Sequence, residues 1–435
     1  MITKQTVCLR KLGGTRAGEV KLGRWFSNER VTKEELADSI TEKVKALVRN
    51  KHILAIQDTT ELNYESKINR IEGLGPVGNG RTNGFYLHPM LAIDADKGIC
   101  LGLASIKSWV RTEIKKKTKG NIYRKQRIED KESYKWIETS DTAKKVLVQA
   151  KQITIIADRE SDIYEEWCRI PGDKTHLLTR ACQDRGLSNG KRLFSHVTDL
   201  KNTGTYEFKV KARKGKRTAH VAKMEIRFGE VEIKKSPKCT DKEAPKAIKL
   251  RVVDVRERAE SVFKNEEPIH WCLLTTHKVE STEKALEIVN WYCQRWHIEQ
   301  FFRTLQKQGL DVESSQVEAV STLMKLVTVA CFAALKIMQL TLARDGKDQA
   351  ISIVFNASEC KLLSKLQKKL EGKTEKQKNP FNPKLLSWAT WIIARLGGWK
   401  GYASESVPGP ITLSRGFKQF QTIYEGLTLI DVCID

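Results

Sequence analysis

KQITIIAD, residues 151–158, is a run of β-branched apolar residues that stops at an acid, and SDIYEEW at 161–167 has the make-up of a helix start. Such a run between polar turns reads as a buried strand. HILAIQD, residues 52–58, repeats the design: an apolar run, then Asp58, then Thr59 and Thr60. A carboxylate at the end of a buried strand is held rigidly at the edge of a sheet, where a cleft can open. An Asp in that place serves equally as a turn residue or as the cap of the next helix, so Asp58 and Asp158 taken singly leave both readings open.

Working outward, TKEELADSITEKVKALVRN at 32–50 predicts a helix with Thr32 as cap and Glu35 three residues on, while residues 1–30 show little periodicity. GNGRTNG at 78–84 is turn chemistry. Two strands, 85–94 and 99–110, follow and join at Ala95-Asp96-Lys97; residues 129–150 are helical and charged. Three strands, a helix and a fourth strand are the order of a ribonuclease H-like α/β core. From 178 to 280 short β-type segments (YEFKVKA, AHVAKMEIRF, AIKLRVVDVRE, HWCLLTT) alternate with basic loops, which reads as a β-rich insertion. One helix is expected from Thr282 to about Gly309, and a second, buried, from about Val317 to Leu342. A charged linker at 365–383 precedes an apolar helix and a compact end. The expected division is a helical N-terminal segment (1–50), the first part of the core (51–177), the insertion (178–280), completion of the core (281–345) and a mostly α-helical C-terminal region (346–435).

The 435 residues exceed one ordinary core and suggest two or three domains. With 40% hydrophobic and 30% charged residues the chain is globular in balance. Its longest apolar run, Met324 to Leu342, is interrupted by Lys325 and Lys336 and reads as a buried helix rather than a membrane span. The N-terminus lacks an apolar core of signal-peptide length. The ten cysteines form no C-x-x-C pair, which argues against structural zinc and fits a reduced, cytoplasmic compartment. The formal charge of +24 favours polyanion partners. Basic residues cluster at Lys115, Lys116, Lys117, Lys119, Arg124, Lys125 and Arg127, at Lys209, Lys211, Arg213, Lys214, Lys216 and Arg217, and along 234–249 and 361–378. Each alone is a solvated face; together they read as a nucleic-acid footprint.

A third acid sits in LEIVNWYCQRWHIEQFFRTLQKQ, residues 286–308. Leu286, Val289, Trp296 and Phe301 would anchor this helix, and Tyr292, Arg295 and Glu299, at i, i+3 and i+7, would share a face. An Arg beside a Glu can be a plain ion pair. Alternatively Glu299 binds metal while Tyr292 and Arg295 grip a phosphate, for which the fixed fork of arginine is suited. Phosphodiester cleavage by two divalent cations about 4 Å apart needs such acids converging from different elements, and magnesium prefers carboxylate oxygens.

Tyr292-x2-Arg295-x3-Glu299 resembles the signature of the insertion-sequence-four family of DDE transposases, transposon-five type. LAIQDTTELNY around Asp58, IADRESDIYE around Asp158 and HWCLLTT before the signature agree with that family in order. The resemblance runs from about Gly14 to the C-terminus. It implies a ribonuclease H-like fold and a cut-and-paste enzyme that cleaves at inverted-repeat ends and joins the 3′-hydroxyls to target DNA, through a hairpin. It further implies Asp58, Asp158 and Glu299 as catalytic acids holding two Mg2+ ions (Mn2+ able to substitute), double-stranded DNA as partner, a homodimer through the C-terminal region, and a cytoplasmic, nucleoid-associated location. Tyr292 and Arg295 carry over as phosphate contacts. Trp271 matches the tryptophan that fills the gap of a flipped base, its alternative being a core tryptophan. Arg159 matches the family's DRE motif; its alternative is a charge partner for nearby acids. His88 and Trp109 match as structural residues.

Two departures stand out. The closing Lys of the signature falls on Gln306; Lys307 lies one residue on, about 100° round a helix, and Arg303 at i+4 from Glu299 is a substitute cation. The segment before RWFSNERVT is also short for the family's end-recognition module, so a shortened N-terminus is expected. The competing readings are a stand-alone nuclease of the ribonuclease H-like group and a non-catalytic or inhibitory transposase that dimerises with the full-length protein.

Overall fold

The structure is a computed structural model and describes residues 1, 4, 6–112, 126–212, 215, 217–307, 309–347, 349–402 and 405–432, without the side chains of 428–432. Most of the basic residues near Lys115 (Lys115, Lys116, Lys117, Lys119, Arg124, Lys125), together with Arg213, Lys214 and Lys216, lie outside the described residues.

The strands are β1 (His52–Gln57), β2 (Thr60–Asn63), β3 (Gly75–Val77), β4 (Thr82–Asp94), β5 (Cys100–Trp109), β6 (Gln152–Ala157), β7 (Thr175–Arg180), β8 (Gly204–Val210), β9 (His220–Lys234), β10 (Ala247–Glu257) and β11 (His270–Thr275). The helices are α1 (Leu9–Gly13), α2 (Arg16–Ser27), α3 (Lys33–Leu47), α4 (Tyr134–Val146), α5 (Tyr164–Arg169), α6 (Leu193–Asp199), α7 (Thr282–Cys293), α8 (Trp296–Gln306), α9 (Val320–Ala343), α10 (Ala357–Leu370), α11 (Leu386–Leu396) and α12 (Pro410–Val432). They belong to two compact units. The first comprises Met1–Val48, Thr59–Ile114 and His297–Asp435, the second Arg49–Asp58 and Lys115–Trp296.

In the first unit β4 is the common partner, pairing antiparallel with β2, β3 and β5. The turn after β4 is tied by Asp94, whose Oδ1 accepts from the N–H groups of Asp96 and Lys97. α3 begins with the expected capping box: Thr32 accepts from Glu35 N–H and Glu35 accepts from Thr32 N–H. It seats closely on β5, where a Cβ at Gly102 would stand 2.3 Å from Val44 Cγ2. α9 is long and apolar enough to cross a membrane, but most of that stretch is buried inside its own unit, and Gln339 on it donates to the Cys100 carbonyl at 3.1 Å. α10, α11 and α12 close around Leu363, Trp388, Phe417 and Phe420. Residues 1–30, read as aperiodic, hold α1 and α2; α2 starts where Thr15 accepts from Gly18 N–H and buries only Phe26, so its apolar stripe is too thin to register as a period.

In the second unit β1, β6 and β7 run parallel, and β11, β10, β9 and β8 extend the same sheet antiparallel in that order. The β-rich segment 178–280 therefore continues this sheet rather than forming one of its own. The single helix expected over 282–309 is two helices. At Gln294 and Arg295 the backbone N–H groups reach back three residues, to Trp291 and Tyr292, and the four-residue ladder lapses. Tyr292 lies at the end of α7, Arg295 in the break and Glu299 on α8, so the three are not on one continuous helix. Trp296, expected as an anchor, is 52% exposed.

Candidate active site

β1 and β6 are neighbours in parallel register, with Ile56 opposite Ile156. Asp58 and Asp158 each stand two residues beyond that pair, so both leave the sheet at the same edge and level. Neighbouring strands lie about 4.8 Å apart. The sheet thus delivers two carboxylates, far apart in the chain, to adjacent positions.

Asp58 is half-buried and engaged: its Oδ2 accepts from Arg295 Nη1 at 2.9 Å. Arg295 follows the end of α7 and lies 5.7 Å over the Trp296 ring. Tyr292, on the last turn of α7, is buried. Burial pushes its phenol upward in pKa; Arg295 and then Arg180 oppose this, and the charge of Asp158 reinforces it. Tyr292 therefore sits within the field of Arg295, of Arg180 on β7 and of the second aspartate. Trp271 on β11 is half-buried, edge-on to Tyr292 at 5.9 Å and to Phe208 at 5.7 Å. Its ring forms the apolar wall behind the tyrosine.

Asp158 caps a single 3-10 turn, Arg159–Ser161, accepting from Glu160 N–H at 2.8 Å through Oδ1. Asp158 thus serves as a turn residue and not as the cap of the next helix, whose N-cap is Ile163, and its Oδ2 is without a hydrogen-bond partner among the described residues. Arg159 is exposed beside it. Glu299 is half-buried in the first turn of α8, where the helix dipole favours an acid. Arg303 and Lys307 are exposed on or just after α8. Gln306, where the resemblance leads one to expect a lysine, donates to the Glu61 carbonyl at 2.9 Å and to Thr60 Oγ1 at 3.3 Å, tying α8 to β2. Among the described residues no group of three or more His, Cys, Asp or Glu side chains is gathered as a metal site. What the second unit brings together is Asp58, Asp158, Arg295 and Tyr292. As a donor set, two carboxylates without a histidine or thiolate suit a hard cation such as magnesium and not zinc.

Sequence reasoning missed the support below. Asp162 is enclosed: Oδ2 accepts from the N–H groups of Cys182 and Gln183 and Oδ1 from Arg185 Nε at 2.8 Å, so the turn after Asp158 is pinned to the chain beyond β7. Gln57 and Glu166 are buried next to the aspartates. Their signal was only an amide ending an apolar run and a doubled acid in IYEEW. In the second basic cluster Lys209 and Lys211 are exposed on β8 and just after it.

Residues 91–335 match the family model described as the transposase DDE domain, a span that includes Asp158, Tyr292, Arg295 and Glu299 and begins after Asp58. Among solved structures, a cryo-EM structure of a piggyBac transposase synaptic complex with hairpin DNA is similar at 9% sequence identity and a TM-score of 0.33, over 75% of this chain and 55% of that one. The chain spans about half the length of the piggyBac chain it matches.

Proposed function

The chain belongs to the transposase DDE domain family, and from that premise we propose that it is a cut-and-paste DNA transposase of the insertion-sequence-four type, built on a ribonuclease H-like core. The single observation that carries the reading is the matched register of β1 and β6, which presents Asp58 and Asp158 side by side at one sheet edge. Asp58, Asp158 and Glu299 are the catalytic acids and would hold two magnesium ions, with manganese able to substitute. Bound there, the cations would generate a nucleophile at neutral pH and stabilise the charge that develops at the phosphodiester.

The protein's own groups do the positioning. Arg295 holds the Asp58 carboxylate in one orientation, and Tyr292, fixed between Trp271 and the two arginines, presents its phenol to a phosphate. Trp271 would fill a vacated base position by stacking. The exposed cations Arg159, Arg303 and Lys307, and Lys209 and Lys211 on and just after β8, would contact the DNA backbone. Any homodimer would form through the 346–435 region. A cytoplasmic, nucleoid-associated location follows from this activity.

The test is cleavage of DNA carrying the element's own ends, in magnesium. Wild-type protein is expected to nick and join such DNA, and Asp58→Ala, Asp158→Ala and Glu299→Ala each to lose cleavage while retaining DNA binding. Near-normal cleavage by any one of the three removes that residue from the site.

A further inference from the structure

Below the two strand ends lies a buried polar network that the chemistry above does not use. Gln57, the residue before Asp58, is fully buried. Its Oε1 accepts from Thr139 Oγ1 at 2.8 Å; its Nε2 donates to Ser140 Oγ at 3.1 Å and faces Glu166 Oε1 at 3.5 Å. Ser161 closes the 3-10 turn that Asp158 caps, and its Oγ–H donates to Glu166 Oε2 at 2.6 Å. One oxygen of Glu166 thus meets the strand that carries Asp58, the other the turn that starts at Asp158.

Glu166 is 1% exposed, and among the described residues no cation forms an ion pair with it. Burial raises its pKa to about 8; the Ser161 hydrogen bond opposes that rise and the charge of Asp162 adds to it. The carboxyl is therefore held neutral at ordinary pH, with a proton to donate as well as lone pairs to accept. Burying a polar group in this way is costly, and an apolar residue would fill the space without that cost. What an apolar residue cannot do is join two separate elements by directed bonds.

We propose that Glu166 is a positioning residue for the proposed reaction, setting the spacing of Asp58 and Asp158 through Gln57 on one side and Ser161 on the other. This rests on the reading of the two aspartates as metal-holding acids. Groups that orient metal ligands from behind change metal affinity by 10–100-fold when removed, because a site loose by half an ångström no longer presents its oxygens together.

The experiment uses the full chain and Mn2+ as probe, followed by electron paramagnetic resonance and calorimetry, with amide hydrogen exchange at residues 57–58 and 158–161. In Glu166→Gln the amide oxygen can accept from Gln57 Nε2 while the amide NH2 donates to Ser161 Oγ, reversing that one bond but keeping both ties, and this variant is expected to bind Mn2+ as the wild type does. Glu166→Leu is expected to speed exchange at both segments and to weaken Mn2+ binding tenfold or more. Ser161→Ala, a milder cut in the same tie, should weaken it about threefold and carries the test if the leucine variant fails to fold. Wild-type Mn2+ affinity in Glu166→Leu, or in Ser161→Ala where the leucine variant does not fold, overturns the proposal. So does an equal loss in Glu166→Gln, since a directed bond would then not be what matters. Asp58→Ala and Asp158→Ala separate the two claims. If both bind Mn2+ like the wild type, the metal reading itself fails, and the positioning role with it. If they lose Mn2+ while Glu166→Leu does not, only the role of Glu166 falls.

Discussion

Arg295 Nη1 lies 2.9 Å from Asp58 Oδ2, with the two side chains only 15% and 16% exposed. The arginine expected to contact a phosphate pairs in this structure with an acid. Because the pair is largely enclosed, removing one partner leaves the other poorly solvated. Arg295→Gln should therefore lower unfolding stability by about 1–3 kcal/mol, the range for hydrogen bonds to charged groups. Urea denaturation checks this; a loss under about 0.5 kcal/mol would place the pair with ordinary surface ion pairs.

Glu166 makes a pH prediction with a definite sign. Burial pushes its carboxyl up to a pKa of about 8 in the folded chain, against its ordinary value of 4.5. Between those values the folded state holds a proton that the unfolded state has released, so stability falls as pH rises through the window, at most about 1.4 kcal/mol per pH unit. Glu166→Gln cannot ionise and should escape the decline. The stability difference between the two proteins, measured by denaturation at pH 5, 6, 7 and 8, should grow in favour of the glutamine variant. Parallel curves would show that Glu166 ionises freely in the fold.

Much of this site could be read from residue order. HILAIQD and KQITIIAD announce strands because they are short, β-branched and bounded by polar turns, and their terminal acids stand out against apolar surroundings. Which strands pair, and in what register, is set by packing across long intervening chain and has no local signature; that is where the adjacency of Asp58 and Asp158 arises. The break between α7 and α8 was hidden for the opposite reason. No Gly or Pro marks Cys293–Arg295, and apolar spacing continues across it, so periodicity reads through a lapse that only hydrogen-bond geometry reveals. Nothing in the local sequence sets Gln57, Asp162 and Glu166 apart, because the groups that hold them come largely from elsewhere in the chain.

Asp162 and Arg185 form an enclosed ion pair, with Asp162 also accepting two backbone N–H groups. Losing either partner strands the other charge. Asp162→Ala is expected to cost about 3–5 kcal/mol, the range for breaking a buried pair. The double variant Asp162→Ala with Arg185→Ala should cost clearly less than the sum of the two single changes. Additivity within about 0.5 kcal/mol would show the two residues to be energetically independent.

Gln306 stands where the resemblance leads one to expect a lysine. Its amide ties α8 to the Glu61 carbonyl, and a lysine ammonium can donate to the same oxygen. Gln306→Lys should then leave stability close to the wild type, whereas Gln306→Leu removes a bond to a solvent-accessible carbonyl and should cost about 0.5–1.5 kcal/mol. The added cation should also steepen the dependence of DNA affinity on log salt by about one and raise cleavage of element ends. Because Gln306 follows Arg303 and precedes Lys307 on the same short segment, an unchanged salt slope in Gln306→Lys would mean that this end of α8 faces away from bound DNA. The exposed Arg303 and Lys307 would then lose their assignment as DNA contacts as well.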